Sequence, residues 1–548
     1  MIKNNWSVLL IYSVVALFIL WPLLGPGYIL ILDMVFTPNL AMPETITSSF
    51  LFRAGLHILN LVTPSDVIEK LILFAILTLS GLGMHRLVRY LQSPVVSTVA
   101  TTWAAYASGL LYMINPFTYS RFMAGQYSVL LGYAFVPFFT VVLLRFLREP
   151  GYKTAILLAA LTIVISIVSI HTLGLVCVVT LIALAQAIWR HRTNPQRLKR
   201  LAQYGTITSL AFIVASSYWL LPLVQGSGST AASIDSFRSS DQSEFSTEGE
   251  GVGGKLMHVL RLQGFWAERH DLYFLPQDRL GLWALAVSLV WALVIVGMVT
   301  AWRANREVAV LFISSLVIAA LLAAGVGSSW LAEHVPFFAG YREPQKFVAL
   351  VALGYGVFVG YAISKLVIKV KSIAGRLVVG VALVLVLVGL TPVMFRGFDG
   401  QLTPRQYPTD WYKINDQLNK DNGSYQVLSL PWHLYMPYQF AGRLIANPAD
   451  SFFDRPLLVS DDPELGNVKP ALVSTRKHLL TTRILPQAAA SRTLGQQLAP
   501  LQIKYVLLAK DYDYREYDYL DNQTDLQLIT ETATLKLYRN TTFEKGGK

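Results

Sequence analysis

Long apolar segments recur along the chain up to about residue 395, and the short stretches between them are alternately basic and nearly uncharged. A helix that crosses the hydrocarbon core of a membrane needs about 20 mostly apolar residues, because its backbone polar groups must be bonded inside the segment. Lys and Arg collect in the short loops on the cytoplasmic side. The alternation therefore predicts a polytopic α-helical membrane protein and also gives its orientation.

We predict about eleven spans, with the N-terminus in the cytoplasm and the protein in the cell membrane. An odd number of spans places the C-terminal segment outside, on the same side as the loops that are poor in cations. The predicted transmembrane domain covers 1–395, with outer loops at 25–69 and 225–280. The predicted spans are 6–24, 70–88, 96–114, 127–146, 154–169, 172–189, 205–224, 281–301, 308–325, 347–364 and 377–395.

The segment 396–548 has shorter apolar runs and more Pro, Asp, Asn and Gln than the rest of the chain. Its periodicity predicts a small extracytoplasmic α/β domain, large enough for a core of its own. We expect helices over 410–420 and 491–499, and strands over 425–430, 503–509, 526–530 and 533–538.

Composition excludes several classes of protein. The chain is 54% hydrophobic and 14% charged, whereas a soluble protein carries about a quarter charged residues. Its net charge of +12 is explained by the cytoplasmic loops, so no nucleic-acid partner is predicted. Cys177 is the single cysteine, which excludes an internal disulfide. No Walker loop or dinucleotide fingerprint occurs in a sensible context.

One carboxylate lies in an otherwise apolar stretch of the first outer loop, which reads GPGYILILDMVFTPN from Gly25. Asp33 would sit at the membrane surface, where a carboxylate costs free energy unless it is solvated, paired or functional. It could act as a general base toward an acceptor hydroxyl, or bind a divalent cation such as Mg²⁺ or Mn²⁺. The alternative is a solvated residue that caps a short helix.

Cations on the outer side are candidates for binding a phosphate, because the positive-inside rule does not require them there. Arg121 follows the third span, and a guanidinium suits bidentate phosphate binding. Arg342 and Lys346 precede the tenth span, with Glu343 placed to orient one of them. The alternatives are an Arg held by lipid headgroups and a local ion pair that seals a helix end.

Two further groups have side chains that suit an acceptor or a sugar. Glu268 and His270 lie before the eighth span, in a segment rich in aromatic and charged residues. Trp432 and His433 lie in the outer domain, where they could stack on or hydrogen-bond to a sugar. A solvated surface for the first pair and buried turns for the second are the competing interpretations.

The architecture resembles the GT-C superfamily of polytopic membrane glycosyltransferases. The shared features are about eleven spans, an acid in the first outer loop and an external α/β domain. More narrowly, NPFTYSRFMAGQ at 115–126, YREPQKF at 341–347 and RLIANPADSFF at 443–453 resemble segments of the YfhO-related prokaryotic membrane proteins.

The resemblance implies an inverting transfer of a sugar from a polyprenyl-phosphate lipid to an acceptor on the outer face, with Asp33 as base or metal ligand. A donor held in the membrane also fits a chain that has no nucleotide-binding motif. In many members the acid of this loop is paired, whereas Asp33 stands alone, which favours the base over the metal ligand.

Three functions remain open on the sequence. The first is a glycosyltransferase that acts on a cell-envelope glycan, glycolipid or glycoprotein. The second is a non-catalytic assembly or carrier protein for envelope polysaccharide. The third is a transporter, which the apolar spans favour least because they hold few ionisable groups in mid-span.

Overall fold

The computed structural model describes residues 5–92, 97–226, 243–462, 464 and 474–543. Part of the predicted outer loop 225–280, residues 227–242, lies outside the described residues. The helices are α1 (Asn5–Leu20), α2 (Phe50–Asn60), α3 (Ser65–Gln92), α4 (Thr98–Met113), α5 (Pro116–Met123), α6 (Tyr127–Arg148), α7 (Tyr152–Val168), α8 (Ile170–His191), α9 (Pro195–Val224), α10 (Gly251–Leu260), α11 (Pro276–Arg279), α12 (Trp283–Ala304), α13 (Arg306–Ala323), α14 (Ser328–His334), α15 (Val348–Lys369), α16 (Ile373–Leu390), α17 (Thr409–Asn419), α18 (Ala449–Phe452), α19 (Thr475–Leu479), α20 (Leu485–Ala488) and α21 (Leu494–Leu498).

Within the described residues, nine helices are long and apolar enough to cross a membrane, so the predicted polytopic helical fold is confirmed. The other two predicted spans fall on α4 and α7, which have 16 and 17 residues. The break between the fifth and sixth spans is confirmed, because α7 ends at Val168 and the Ser169 hydroxyl caps α8 by accepting from Thr172 N–H.

The bundle is built around α15. Its most apolar stretch of 18 residues is completely buried, and the helix packs against α4, α12 and α13. In contrast, only 17% of the most apolar 18-residue stretch is buried in α9 and in α16. Both helices expose large apolar side chains, such as Val214 and Leu385. Exposed apolar faces of this kind are expected where helices meet lipid rather than water.

The C-terminal part forms a sheet domain. In the described residues its main sheet has the order β4-β1-β5-β7-β6, with β1 parallel to β4 and β5 and with β7 antiparallel to β5 and β6. The hairpin β2–β3 lies apart from this sheet. The strands are β1 (Gln426–Leu430), β2 (Tyr435–Tyr438), β3 (Arg443–Ala446), β4 (Leu457–Leu458), β5 (Ile503–Ala509), β6 (Leu526–Glu531) and β7 (Leu535–Asn540).

The period of two along β1 and β5 explains how the sheet is buried on both faces. Leu428 and Leu508 point into a core that belongs to the C-terminal part alone. Val427 and Leu507 point the other way, into a second core that includes Ile29 and other residues of the loop after α1. The sheet is therefore packed directly onto the membrane-spanning bundle.

Backbone hydrogen bonds join the loop after α1, residues 21–49, to the C-terminal part. Tyr28 and Arg405 exchange two bonds of 2.8 Å each. Farther along, Ala446 N–H in β3 donates to the Leu32 carbonyl at 2.8 Å. These bonds bring Asp33, the next residue, against the β2–β3 hairpin.

Candidate functional site

The start of α3 holds the loop that carries Asp33. The Asp66 carboxylate accepts from Gly27 N–H at 3.1 Å, and the Glu69 carboxylate accepts from Ile29 N–H at 2.9 Å. Glu69 is fully buried, so its hydrogen bond forms away from competing water. These two hydrogen bonds therefore fix the residues just before Asp33 to the bundle.

The turn between α5 and α6 fixes the same loop from the other side. Asp33 N–H donates to the Ala124 carbonyl at 3.2 Å. Gly125 has φ +71°, and a Cβ there would lie 2.4 Å from the Met34 nitrogen. Only glycine permits both the backbone conformation and the close approach at this position.

The Asp33 carboxylate is held by a tyrosine from the C-terminal part. The Tyr435 hydroxyl, at the start of β2, donates to Asp33 Oδ1 at 2.6 Å. The Asp33 side chain is accessible to solvent, but many protein atoms lie around it. The desolvation that they cause raises the pKa of Asp33, and the hydrogen bond from Tyr435 and the charge of Lys346 offset part of this rise. A raised pKa suits a carboxylate that must accept a proton.

Asp33 opens into a cavity of about 610 Å³ between the loop after α1, α2 and the edge of the sheet. The cavity is lined by two further carboxylates, Glu44 and Asp450, and by two guanidinium groups, Arg53 and Arg476. Desolvation raises the pKa of Asp450 as well, with Ser451 and nearby cations opposing it. Polar groups of both signs on one concave surface suit a ligand with many hydroxyl groups.

Beside Asp33 lies a buried cluster of charges. Arg121 Nη1 donates to Glu343 Oε2 at 3.0 Å and to Gln126 Oε1 at 2.6 Å, and Lys346 Nζ lies 3.4 Å from the same Glu343 oxygen. Burial raises the pKa of Glu343, but the two cations outweigh it and the net pKa lies below the ordinary value. Arg121 and Lys346 thus both face an internal carboxylate.

Arg342, the third predicted phosphate ligand, lines a different cavity of about 360 Å³. Its guanidinium lies over the ring of Phe245, 4.5 Å from the ring centroid. Lys255 lines the same cavity, together with the hydroxyl-bearing Thr247 and Ser328. Two cations among hydroxyl groups form a chemical environment suited to a phosphate.

Glu268 and His270 differ in their exposure to solvent. Glu268 is buried, and its Oε2 accepts from Gly264 N–H at 3.0 Å. Burial raises the pKa of Glu268 to about 7, against the opposing effects of backbone N–H groups and Arg121. His270 is exposed, with its ring 5.7 Å from that of Trp266.

Trp432 and His433 are neighbours with different surroundings. Trp432 is buried in the core of the sheet, and its Nε1 donates to Thr481 Oγ1 at 3.1 Å. His433 bridges Glu464 Oε1 at 2.6 Å and Asp513 Oδ2 at 2.9 Å. The bond to Glu464, with help from Asp513 and against burial, raises the pKa of His433 to about 9.

The fold thus brings Asp33 beside the cluster of Arg121 and Lys346, and Glu268 lies near enough to Arg121 for the two charges to interact. It leaves His270, Trp432 and His433 with surroundings of their own. Sequence reasoning did not connect Tyr435 or Asp450 with Asp33, nor Lys255 with Arg342. The signal for Asp450 was its place in RLIANPADSFF, whereas Lys255 lies in a Gly-rich stretch with no motif. Among the described residues, no group of three or more His, Cys, Asp or Glu could hold a metal ion.

The bundle with its sheet domain defines a polytopic membrane protein of GT-C-like fold. It is similar to the cryo-EM structure of the arabinofuranosyltransferase AftD from Mycobacteria, with a TM-score of 0.65, 15% identity, and coverage of 97% of this chain and 40% of that chain. A mutant form of AftD matches with a TM-score of 0.63, 13% identity, and coverage of 98% and 41%. The chain belongs to the DUF6541 family, described as a family of unknown function, whose model matches residues 63–428.

The chain spans about two fifths of the length of these solved AftD structures, and their likeness concerns the fold alone. No curated protein matches the chain.

Proposed function

We propose that this protein is a membrane glycosyltransferase, related to the YfhO group, that moves a sugar from a polyprenyl-phosphate donor to a cell-envelope glycan, glycolipid or glycoprotein. The observation that carries the proposal is the position of Asp33. Its carboxylate is fixed by Tyr435 at 2.6 Å and opens into a cavity of about 610 Å³. The GT-C-like fold, shared with a protein named as an arabinofuranosyltransferase, supports the same reaction class.

In the proposed reaction Asp33 is the general base. Its carboxylate takes the proton of the acceptor hydroxyl as that oxygen attacks the anomeric carbon of the sugar. The bond from the anomeric carbon to the donor phosphate oxygen breaks, and polyprenyl phosphate leaves with the bonding electrons. Attack opposite the leaving group inverts the anomeric centre. The raised pKa of Asp33 strengthens it as a base.

The donor phosphate is proposed to bind at Arg342. That residue lines the cavity shared with Lys255, and two cations there would neutralise the leaving phosphate. Arg121 and Lys346 act beside it through Glu343, whose carboxylate both cations approach. In this arrangement the buried cluster holds the segment 341–347 in place while Arg342 meets the lipid phosphate.

The acceptor is proposed to occupy the cavity that contains Asp33 and Asp450. Glu268, His270, Trp432 and His433 stay predicted sugar or acceptor contacts. His270 is solvent-exposed and therefore accessible to a glycan, whereas Trp432 is buried and would contribute by supporting its neighbour His433.

The proposed topology places the N-terminus in the cytoplasm and the C-terminal part outside the cell membrane. Its support is that cation-poor loops meet the C-terminal part on one face, since Phe274 N–H donates to Gln401 Oε1 at 2.8 Å and Gln401 Nε2 donates to the Tyr119 hydroxyl at 3.0 Å. A divalent cation stays a prediction. The proposed mechanism is written for the metal-free form, because Asp33 is not paired with a second acid in its sequence motif.

The test uses the full chain in nanodiscs with a panel of polyprenyl-phosphate sugars and a membrane-glycan extract, and it measures released polyprenyl phosphate. We expect Asp33→Asn to lower the rate by about 10²- to 10⁴-fold, the usual contribution of a general base. Asp416→Asn, at an exposed acid of α17 that does not line the Asp33 cavity, is the matched control and should keep full activity.

Two further measurements test the role of Arg342 and the metal-free mechanism. Arg342→Gln should weaken donor binding, and unchanged donor affinity would contradict its assignment. Loss of activity with a chelator would contradict the metal-free mechanism. If no donor releases polyprenyl phosphate while an envelope glycan still binds, the protein is instead a non-catalytic assembly or carrier protein.

A further inference from the structure

A cavity of about 450 Å³ lies far from Asp33, where α6, α8, α9 and α13 meet. Tyr127, at the start of α6, lines the Asp33 cavity, while Arg148, at its end, lines this one. A helix rises 1.5 Å per residue, so the 22 residues of α6 separate the two cavities by about 33 Å. That length is close to the thickness of the hydrocarbon core, which puts the second cavity at the opposite membrane surface.

The lining of this cavity has two chemical parts. Three arginines and one glutamate leave a formal surplus of two positive charges at its polar end, namely Arg148, Arg190, Arg197 and Glu307. Gln186, His191 and Asn305 add further polar groups to the lining. The apolar wall comes from Leu144, Leu147, Ala183, Ala187, Val308 and Leu311. A ligand that fits both parts is anionic at one end and apolar at the other.

The arginines of the polar end are held in place by the helices. Arg190 pairs with Glu307, and Gln186 donates to the Glu307 carbonyl at 2.8 Å, which ties α8 to α13. Arg197 donates to the Leu147 carbonyl at 3.2 Å, at the end of α6. Each guanidinium carries five N–H donors, which exceeds the number these contacts use.

We propose that this cavity binds an anionic phospholipid, with its phosphate among the arginines and the first part of an acyl chain along the apolar wall. Basic pockets between helix ends at a membrane surface recognise lipid headgroups in this way. A free phosphate would use the cations alone and gain nothing from the apolar wall. The proposal goes beyond the glycosyltransferase proposal and does not depend on it, since no residue of the Asp33 site takes part.

The test is native mass spectrometry of the detergent-solubilised full chain, titrated with phosphatidylglycerol and, separately, with phosphatidylcholine. We expect the wild type to prefer phosphatidylglycerol. Arg190→Gln should lower that affinity about fivefold, the contribution of one cation near a charged headgroup. Arg303→Gln is the charge control, because Arg303 lies near the same helix ends but does not line the cavity.

A second pair of variants keeps every charge and tests the cavity itself. Ala187→Leu fills the apolar wall and should also lower the affinity for phosphatidylglycerol, whereas Ala185→Leu, on an exposed position of α8, should not. Equal losses in Arg303→Gln and Arg190→Gln, with no effect of Ala187→Leu, would overturn the proposal in favour of general surface charge. Equal binding of both lipids, or displacement of the lipid by millimolar inorganic phosphate, would also overturn it.

Discussion

Among the described residues, Glu343 is the one carboxylate that pairs with both Arg121 and Lys346. The variant Glu343→Gln therefore tests how much the buried cluster stabilises the fold. Arg121 is 1% exposed and Lys346 is 5% exposed. A charge at such a position is stable only with a partner, because moving it from water into protein costs several kcal/mol. The glutamine keeps the shape of the side chain and removes the counter-charge from both cations.

The expected magnitude follows from that burial. Breaking a buried ion pair by removing one partner costs about 3–5 kcal/mol, since it leaves an uncompensated charge. If the cluster is not yet formed in the transition state for unfolding, the whole cost appears in the unfolding rate. A factor of ten corresponds to about 1.4 kcal/mol, so the rate should rise by at least about a hundredfold.

The assay is the rate of thermal unfolding of the full chain in nanodiscs, followed by intrinsic tryptophan fluorescence. Glu307→Gln is the matched control, because its pair with Arg190 is more than half exposed and is worth about 1 kcal/mol or less. Adding Lys346→Met to Glu343→Gln should recover part of the loss by removing an unpaired cation. Equal rates for the Glu343 and Glu307 variants would refute the reasoning.

Three further predictions concern single positions. Tyr435→Phe removes a hydrogen bond that lowers the pKa of Asp33, so the rising limb of the pH–rate profile should move up by about one pH unit; an unmoved limb would separate Tyr435 from the base. Gly125→Ala should reduce thermal stability through its positive φ and close contact, whereas Gly205→Ala in α9, with nothing near its Cβ, should not. The pKa of His433 is raised from 6.5 to about 9, so the stability that its ion pairs contribute is complete below pH 6.5 and is lost as the pH rises through 9. The free energy of unfolding should therefore change less with pH over that range in His433→Gln than in the wild type. An unchanged pH dependence would contradict the bridge.

The membrane-spanning part was predictable because one physical requirement governs it. Length and apolarity are local properties, and the spans over 127–146 and 308–325 were found within a few residues of α6 and α13. The shorter helices α4 and α7 were also located, although they fall below the usual length of a span. Packing against α15 lies outside such a prediction, since it depends on contacts between distant segments.

The sheet domain was predictable where strands are long and regular. The strand expected over 503–509 is β5, and the pair over 526–530 and 533–538 is β6 and β7. The hairpin β2–β3 was missed because its strands have four residues each and Pro437 interrupts the first, which argues against a strand. That omission concealed the partner of Asp33.

The candidate acid itself was predictable from its unfavourable position, but its partners were not. Asp33 and Tyr435 are 402 residues apart, and Arg121 and Glu343 are 222 apart. No spacing rule connects residues at such distances, because only the packed fold brings them together. The ion pair between Glu343 and Lys346 was weighed in advance since it lies within one turn.

The absence of a second acid beside Asp33 is the point at which this chain departs from its proposed relatives, and the structure gives that departure a physical meaning. A loop aspartate that serves only as a solvated cap needs no partner from another part of the chain. Asp33 accepts a hydrogen bond from Tyr435 of β2, lies on a backbone held by Ala124, and lines one cavity together with Asp450. Tyr435 and Asp450 of the C-terminal part thus add polar groups to those that the loop itself supplies, Asp33 and Glu44. A carrier protein could bind a glycan with the C-terminal part alone, whereas a transferase requires the Asp33 carboxylate where the loop meets that part. A shift of the pH–rate profile in Tyr435→Phe would therefore support the transferase.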